Sequence, residues 1–384
     1  MSHLVRRLLP LTIAFLLLTA SAQAPEAERI VAIGDIHGDL DALVAILQKA
    51  GFIDEARHWS GGKATLVQTG DFLDRGPKSR AVMDLLMALQ KEASRRDGRV
   101  LICLGNHEVM NMMGDLRYVV PEDYSAFADS KSEQRRKTAF QNYSRQQVER
   151  GRPVDETTWM RAHPIGFIEH REAFGPRGVY GRWLRSLPAV RTADDSVFLH
   201  GGISPELATR SVEKINAAVS AEIQAFDKYR QYMVDQKLAF PFSTFDELVN
   251  TAKAEVEARQ SKPQAGQEQE DRERLLVLEN FLQLGGWLSI SEDGPLWFRG
   301  YDSWTEEEGE ARLSPLTKAL NVKRIVVGHT PQPSGEVRRR FGGKVFLIDT
   351  GMLSSYFPGG RAAVLDIRDG KLSAIYPNET KTLN

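Results

Sequence analysis

The chain has 384 residues, with 50 Lys plus Arg against 51 Asp plus Glu, 42% hydrophobic residues and one cysteine. That is the composition of a globular protein, and it excludes a collagen-like or wholly disordered chain. A net charge of −1 leaves no basic surplus for nucleic acid or an anionic membrane, and a lone Cys cannot close an internal disulfide.

At the N-terminus Arg6 and Arg7 precede an apolar run from Leu8 to Leu18, broken only by Pro10 and Thr12, and Ala22-Gln23-Ala24 supplies the small residues a signal peptidase needs. As a helix this run would rise about 17 Å, roughly half of a hydrocarbon core. A secretory signal, residues 1–24, is therefore expected rather than a membrane anchor. The mature protein is expected in the periplasm or outside the cell, with no membrane span once the signal is removed.

Three short strand-like runs follow, Arg29 to Gly34, Ala64 to Gly70 and Arg99 to Gly105, and each ends in Gly followed by Asp or Asn. Behind the first, Leu40, Leu43, Val44 and Leu47 fall at i, i+3, i+4 and i+7, with Gly51 placed to stop a helix. Val82, Leu85, Leu86 and Leu89 repeat the stripe behind the second. Strand-to-helix crossovers of this kind imply parallel strands buried on both faces. From Asp115 to about Ser186 the chain turns polar and aromatic, which predicts a mainly helical insertion. A strand is predicted at Ser196 to His200, then a second helical block from Pro205 to Leu284. Within that block Ala258 to Arg274 holds almost no apolar residue and is expected to be a solvated loop or helix face. Strands are predicted at Arg324 to Val327, Lys344 to Ile348 and Ala362 to Ile367, and Asp369-Gly370 turns the last back as a hairpin into Leu372 to Tyr376.

The residues just after these strands carry the chemistry. They are Gly34-Asp35-Ile36-His37-Gly38, Gly70-Asp71-Phe72-Leu73-Asp74-Arg75-Gly76, Gly105-Asn106-His107-Glu108, His200-Gly201-Gly202, Gly328-His329-Thr330 and Asp349-Thr350-Gly351. In an open α/β sheet the strand ends share one crevice, where ligands bind. A mixed set of oxygen and imidazole donors suits Zn, Fe or Mn better than Ca or Mg. Asp71 has two carboxylate oxygens and could bridge two cations. Taken singly, each Asp or His after a strand is more often a cap or turn residue than a ligand. The Gly-Asp-x-His-Gly match alone has a chance probability on the order of 10⁻³, and the other motifs follow it in order.

This ordered set resembles the calcineurin-like metallophosphoesterases, and within them the phosphoprotein phosphatase branch, over Gly34 to Gly351. Asp293-Gly294-Pro295-Leu296-Trp297-Phe298-Arg299-Gly300-Tyr301 and Gly328-His329-Thr330 look most like the Shewanella-like protein phosphatases. The resemblance implies an α/β sandwich of two mixed β-sheets flanked by helices, formed by residues 25–384 as a single domain with helical insertions at about 115–190 and 205–284. It implies two divalent or transition metal ions (Mn, Fe or Zn). Asp35 and His37 would hold the first, Asp71 would bridge, and Asn106, His200 and His329 would hold the second. A water activated between the cations would attack phosphorus, His107 would protonate the leaving oxygen with Asp74 orienting its ring, and Arg75 and Arg299 would clamp the phosphate oxygens. For Arg299 the likeness is local, and a surface salt bridge is nearly as good a reading.

Departures from the family pattern refine the substrate. Pro331 stands where phosphodiesterases of the superfamily carry a second histidine, which favours monoesters. The animal-type Arg-x-His and Ala-Pro-Asn-Tyr segments are missing, and Asp349 is left as a residue supporting the ligands. The segment between His107 and His200 is expected to cover the crevice and shape substrate choice. The expected substrate is a phosphorylated protein, peptide or small molecule; a dinucleoside polyphosphate hydrolase, or a secreted binding protein without catalysis, are the rivals. His58, His163 and His170 match no motif and are expected to be solvated or hydrogen-bonded, and Cys103 to pack as a small hydrophobe. Arg117-Tyr118 and Arg182-Trp183 could line the entrance and stack on a phosphoaryl group, but ordinary packing is the expectation for each pair.

Overall fold

The computed structural model describes residues 29–261 and 268–383, so the expected signal segment lies outside the described residues. The first three runs form β1 (Ile30–Ile33), β2 (Thr65–Gln68) and β3 (Arg99–Ile102), parallel and in register from Ile30 opposite Thr65 and Thr65 opposite Arg99. The predicted crossover helices are α1 (Leu40–Lys49) and α2 (Ser79–Ser94). Asp39 caps α1 by accepting the Ala42 amide, and Gly51 follows its end with φ +75°. A short α3 (Asn106–Met113) begins directly after β3.

The first insertion is helical throughout, as α4 (Pro121–Phe127), α5 (Ser132–Glu149), α6 (Glu156–Ala162), α7 (Phe167–Phe174) and α8 (Val179–Arg185). It has a small core of its own around Ala139, Trp159, Phe167 and Ile168. The chain then makes β4 (Val190–Ala193) and β5 (Ser196–Leu199), followed by α9 (Val212–Asp235), α10 (Phe245–Ser261) and α11 (Glu268–Leu282). The stretch expected to be solvated is less so: Asp271 on α11 is buried and pairs with Arg259 on α10. After α12 (Gly300–Ser303) and α13 (Glu306–Leu320) come β6 (Arg324–Val327), β7 (Arg338–Arg340), β8 (Val345–Leu347), β9 (Val364–Arg368), β10 (Lys371–Ile375) and β11 (Thr380–Thr382).

These strands build two mixed sheets, ordered β11-β10-β9-β1-β2-β3 and β4-β5-β6-β8-β7. The alternation of side chains along each strand explains how the sheets pack. Ile30, Ala32, Val67, Phe198, Val326, Phe346 and Leu365 point into a core between the two sheets, and Cys103 is buried with them. Val31, Ile33, Leu66, Val197, Leu199, Ile325, Val327 and Leu347 point the other way, into the larger core under the helices. Both faces are thus covered, and the loops after β1, β2, β3, β5, β6 and β8 are left to form a shared crevice. Among the described residues no helix is long and apolar enough to cross a membrane.

Candidate active site

Asp35 and His37 follow β1, Asp71 follows β2, Asn106 and His107 open α3, His200 follows β5, His329 follows β6 and Asp349 follows β8. All eight are at most 5% exposed. The ligand atoms of His37, Asp71 and His107 lie within 4.8 Å of one another, and so do those of Asp71, His200 and His329. Asp71 belongs to both groups. Asn106 joins the second, with Oδ1 2.9 Å from His200 Nε2, and Asp35 borders the first, with Oδ2 3.8 Å from His37 Nε2.

The backbone is bent to achieve this. His37, Asp71, Asp74, Arg75 and His329 all adopt positive φ, from 47° to 68°. Each such conformation costs a side-chain-bearing residue on the order of 1–3 kcal/mol, and surrounding bonds must hold it. The Ile36 and His37 amides donate to the Asp71 carbonyl at 2.9 and 3.1 Å, tying the first two loops together. Glu108 ties the second to the third: its Oε2 accepts the amides of Asp71 and Gly105, both at 2.8 Å, and its Oε1 accepts that of Phe72 at 3.0 Å. Gly105 is required by contact, since a Cβ there would sit 2.2 Å from Asp71 Oδ1.

The four imidazoles differ in what lies behind them. His37 Nδ1 bonds the Leu73 carbonyl (2.9 Å), His200 Nδ1 that of Thr69 (3.1 Å), and His329 Nε2 that of Trp297 (3.0 Å). A carbonyl can only accept, so each of these nitrogens carries the ring hydrogen and the other presents a lone pair to the centre. His200 Nε2 then faces Asn106 Oδ1 at 2.9 Å, Asp71 Oδ2 at 3.0 Å and His329 Nδ1 at 3.0 Å. Four lone-pair donors this close repel unless a positive charge lies among them, and their mixed N and O chemistry suits a transition metal or zinc. The residues therefore fit a pair of cations sharing Asp71. His107 is different: its Nδ1 meets a carboxylate, Asp74 Oδ2, at 2.7 Å, and Asn111 Nδ2 donates to the other oxygen of Asp74 at 2.9 Å.

Electrostatics sort the rings in the same way. Burial, reinforced by neighbouring His107 in one case and His200 in the other, holds His37 and His329 well below the ordinary histidine range, so both rings are neutral. Burial also opposes a charge on His107, but Asp71 and Asp74 outweigh it and raise its pKa. Burial works against a charged Asp71 as well, yet the adjoining His200 and His107 keep it well below the carboxylate range. Asp35 is pushed well up by burial and by Asp349 and Asp71, and burial lifts Asp349 to about 6.

Arg75 stands at the mouth of the centre, with Nη1 2.6 Å from His37 Nε2, and its guanidinium lies over the rings of Tyr356 (4.0 Å) and Tyr118 (5.2 Å). Tyr118 also flanks His107, with ring centroids 4.9 Å apart. The expectation of plain packing thus fails for Tyr118, which borders the centre, and holds for Trp183, which packs on Phe72 and bonds Gln90. Arg299 is exposed and donates to the His329 carbonyl (2.9 Å) and Thr330 Oγ1 (3.1 Å); among the described residues it has no carboxylate partner. His58 pairs with Glu92 on the surface and His163 stacks on Trp159. His170, expected to be solvated or bonded, is instead caged by Tyr124, Phe127 and Phe174, with Nδ1 lacking a partner. Burial pushes the Cys103 thiol up to about 12, which makes it inert.

Two residues at this site escaped sequence reasoning. Glu108 stands in the Asn-His-Glu motif three residues past Gly105, the spacing at which a glutamate reaches back to the start of its own helix, and that signal was there to be read. Tyr356 belongs to no motif, and only the fold brings it to Arg75. The first insertion does not simply cover the crevice: it meets the centre through Tyr118, and its helices α7 and α8 pack on α3.

Residues 28–333 match the family model described as calcineurin-like phosphoesterase. An uncharacterised protein of Schizosaccharomyces pombe is 31% identical over 90% of this chain and 79% of its own length. Shewanella-like protein phosphatase 1 of Plasmodium berghei is 27% identical over 90% of this chain and 74% of its own. Among solved structures, the cold-active protein-tyrosine phosphatase of a psychrophilic Shewanella species superposes with a TM-score of 0.59 at 26% identity, covering 93% of this chain and 81% of that one.

Proposed function

The chain belongs to the calcineurin-like phosphoesterases, and we propose that it is a dinuclear metal phosphatase that hydrolyses phosphate monoesters on proteins or peptides. The observation that carries this reading is the split among the buried imidazoles: three are backed by carbonyls and one by a carboxylate. The names of the Plasmodium and Shewanella relatives support a phosphoprotein substrate.

In this reading Asp35, His37 and Asp71 would hold one cation, and Asp71, Asn106, His200 and His329 would hold the other. A bound pair of Mn, Fe or Zn ions would supply Lewis acidity to the phosphoryl oxygens and lower the pKa of the attacking water. The carbonyls of Leu73, Thr69 and Trp297 fix which nitrogen of each ring carries the hydrogen and aim the other at the centre, while burial keeps His37 and His329 neutral. Asp74 keeps the proton on His107 Nδ1 and stabilises the imidazolium, so the proton on Nε2 is available to the departing alkoxide or phenoxide. Arg75, braced by Tyr118 and Tyr356, and Arg299 bind phosphoryl oxygens. The two tyrosine faces also suit an aryl leaving group. Export rests on residues 6–24, and an N-terminus at Pro25 in material recovered outside the cytoplasm would bear it out.

The test is His107→Asn on a series of esters with leaving groups of rising pKa. The variant is expected to keep two metals by elemental analysis and to lose about 10²- to 10⁴-fold in kcat on the poorest leaving groups, with little loss on the best. An unchanged rate across the series removes His107 as the acid. Running the parent enzyme on phosphotyrosyl and phosphoseryl peptides beside diadenosine tetraphosphate, with Mn, Zn or Fe supplied in turn, separates the phosphoprotein reading from dinucleoside polyphosphate hydrolysis.

A further inference from the structure

Arg171 on α7 is 1% exposed, and among the described residues no carboxylate pairs with it. Its Nε and Nη2 have no hydrogen-bond partner, and Nη1 donates to the Asn111 carbonyl at 2.7 Å. The charged and titratable groups around it come from four helices: Arg230 on α9 and Arg185 on α8 repel it, while Tyr124 on α4 and Glu247 on α10 favour it. Burial and then Arg230 push its pKa down to about 9, which still leaves it cationic at neutral pH. A buried cation without a counter-ion is costly, so something else must hold it.

What faces Arg171 is the C-terminal end of α3. The last carbonyls of a helix lack partners within it and carry the negative end of its dipole. Gly114 closes α3 in the left-handed region at φ +89°, its amide donating to Met110 O at 2.8 Å. The guanidinium fits only because position 114 has no side chain: a Cβ there would lie 2.6 Å from Arg171 Nη2. From this end of the helix the contacts run to the proton donor. Asn111 Nδ2 bonds Asp74 Oδ1 at 2.9 Å and the His107 carbonyl at 3.0 Å, and Asp74 Oδ2 meets His107 Nδ1 at 2.7 Å.

We infer that Arg171 is a positioning residue for phosphate ester hydrolysis: a buried cation carried by the insertion that clamps the C-terminal end of α3 and thereby fixes, through Asn111 and Asp74, the aim of the His107 ring. This rests on the role of His107 proposed above. It gives the first insertion a part in the reaction beyond any contact with substrate.

The experiment compares Arg171→Met, Arg171→Lys and Gly114→Ala with the parent, each loaded with metal and checked for metal content. Arg171→Met is expected to lower kcat on phenyl phosphate roughly ten- to a hundredfold more than on 4-nitrophenyl phosphate, with KM unchanged. Arg171→Lys, which keeps the charge, is expected to restore most of the loss. The Nδ1 proton of His107, followed by NMR, is expected to move in Arg171→Met and return in Arg171→Lys, a change that general destabilisation does not produce. Trp159→Phe, in the separate core of the insertion, serves as a control with an unchanged ratio of the two rates. If Arg171→Met does not fold, Gly114→Ala, which drives the guanidinium from the helix end, must shift the ratio in the same direction. A ratio that stays at the parent value in every folded variant overturns the inference while His107→Asn still shows the leaving-group effect. If His107→Asn shows none, the proposed role of His107 and this inference fall together.

Discussion

Glu108 shows how much of the site depends on a residue that need touch neither metal nor substrate. Burial and neighbouring Asp71 push its pKa up to about 8, while the three amides it accepts favour the charged form. Both of its oxygens are engaged, so Glu108→Gln would turn an NH2 group against a backbone N–H. We expect that variant to lose about 2–3 kcal/mol of stability in chemical denaturation and to bind metal more weakly by titration, because the loop carrying Asp71 is released. Unchanged stability would mean that the three loops are held by other bonds.

At the scale of elements, the first insertion and the core meet in a polar contact as well as an apolar one. Asp123 on α4 is buried and accepts from the Ser79 amide (3.3 Å) and Ser79 Oγ (3.0 Å), capping the start of α2, whose own N-cap residue Lys78 makes no such bond. Burial, then the nearby charge of Asp74, raises Asp123 to about 7. The folded state therefore binds a proton that the unfolded state has released between about pH 4 and 7, so this contribution to stability is full below that window and is lost as pH rises through 7. Asp123→Asn should show a smaller fall in stability between pH 5 and pH 8 than the parent, and equal slopes would contradict the assignment. The same scale shows what the sequence could reveal. β1 is apolar throughout, β2, β5 and β6 each hold two or three consecutive apolar residues (Leu66-Val67, Val197-Phe198-Leu199, Ile325-Val326-Val327), all four are buried along their length, and each delivers its Asp or His just past the strand end, so strands and candidate ligands were legible together. β7 is three arginines, paired only because β8 lies beside it, and β11 is Thr-Lys-Thr at an edge; neither carries an apolar period to read. β4 is split by Arg191 and Thr192 and exists as the antiparallel partner of β5. Glu108 was readable from spacing, whereas Arg171 was not, because nothing local marks an arginine that is buried against a helix sixty residues earlier in the chain.

Across the whole molecule, the candidate ligands come from both sheets. Asp35, His37, Asp71 and Asn106 follow strands of the six-stranded sheet, and His200 and His329 follow strands of the five-stranded one. Cations at this seam would tie the sheets together as well as serve the reaction. A ligand bound only by the folded state adds about 2.7 kcal/mol when its free concentration is a hundred times its Kd. Chelation should therefore lower the Tm by several degrees, with recovery on adding Mn or Zn, and a Tm indifferent to chelator would count against the paired-cation reading. The sheet order carries one more implication. β1 lies between β2 and β9, with Ile30 opposite Ile367 and Ile33 opposite Val364. Nearly the whole polypeptide separates these two neighbours, so a ribosome that has already delivered the last candidate ligand, His329, has yet to make the strand that flanks β1. β1 therefore stays open along one side until β9 has been made, a pairing of distant segments that must close before the crevice is complete.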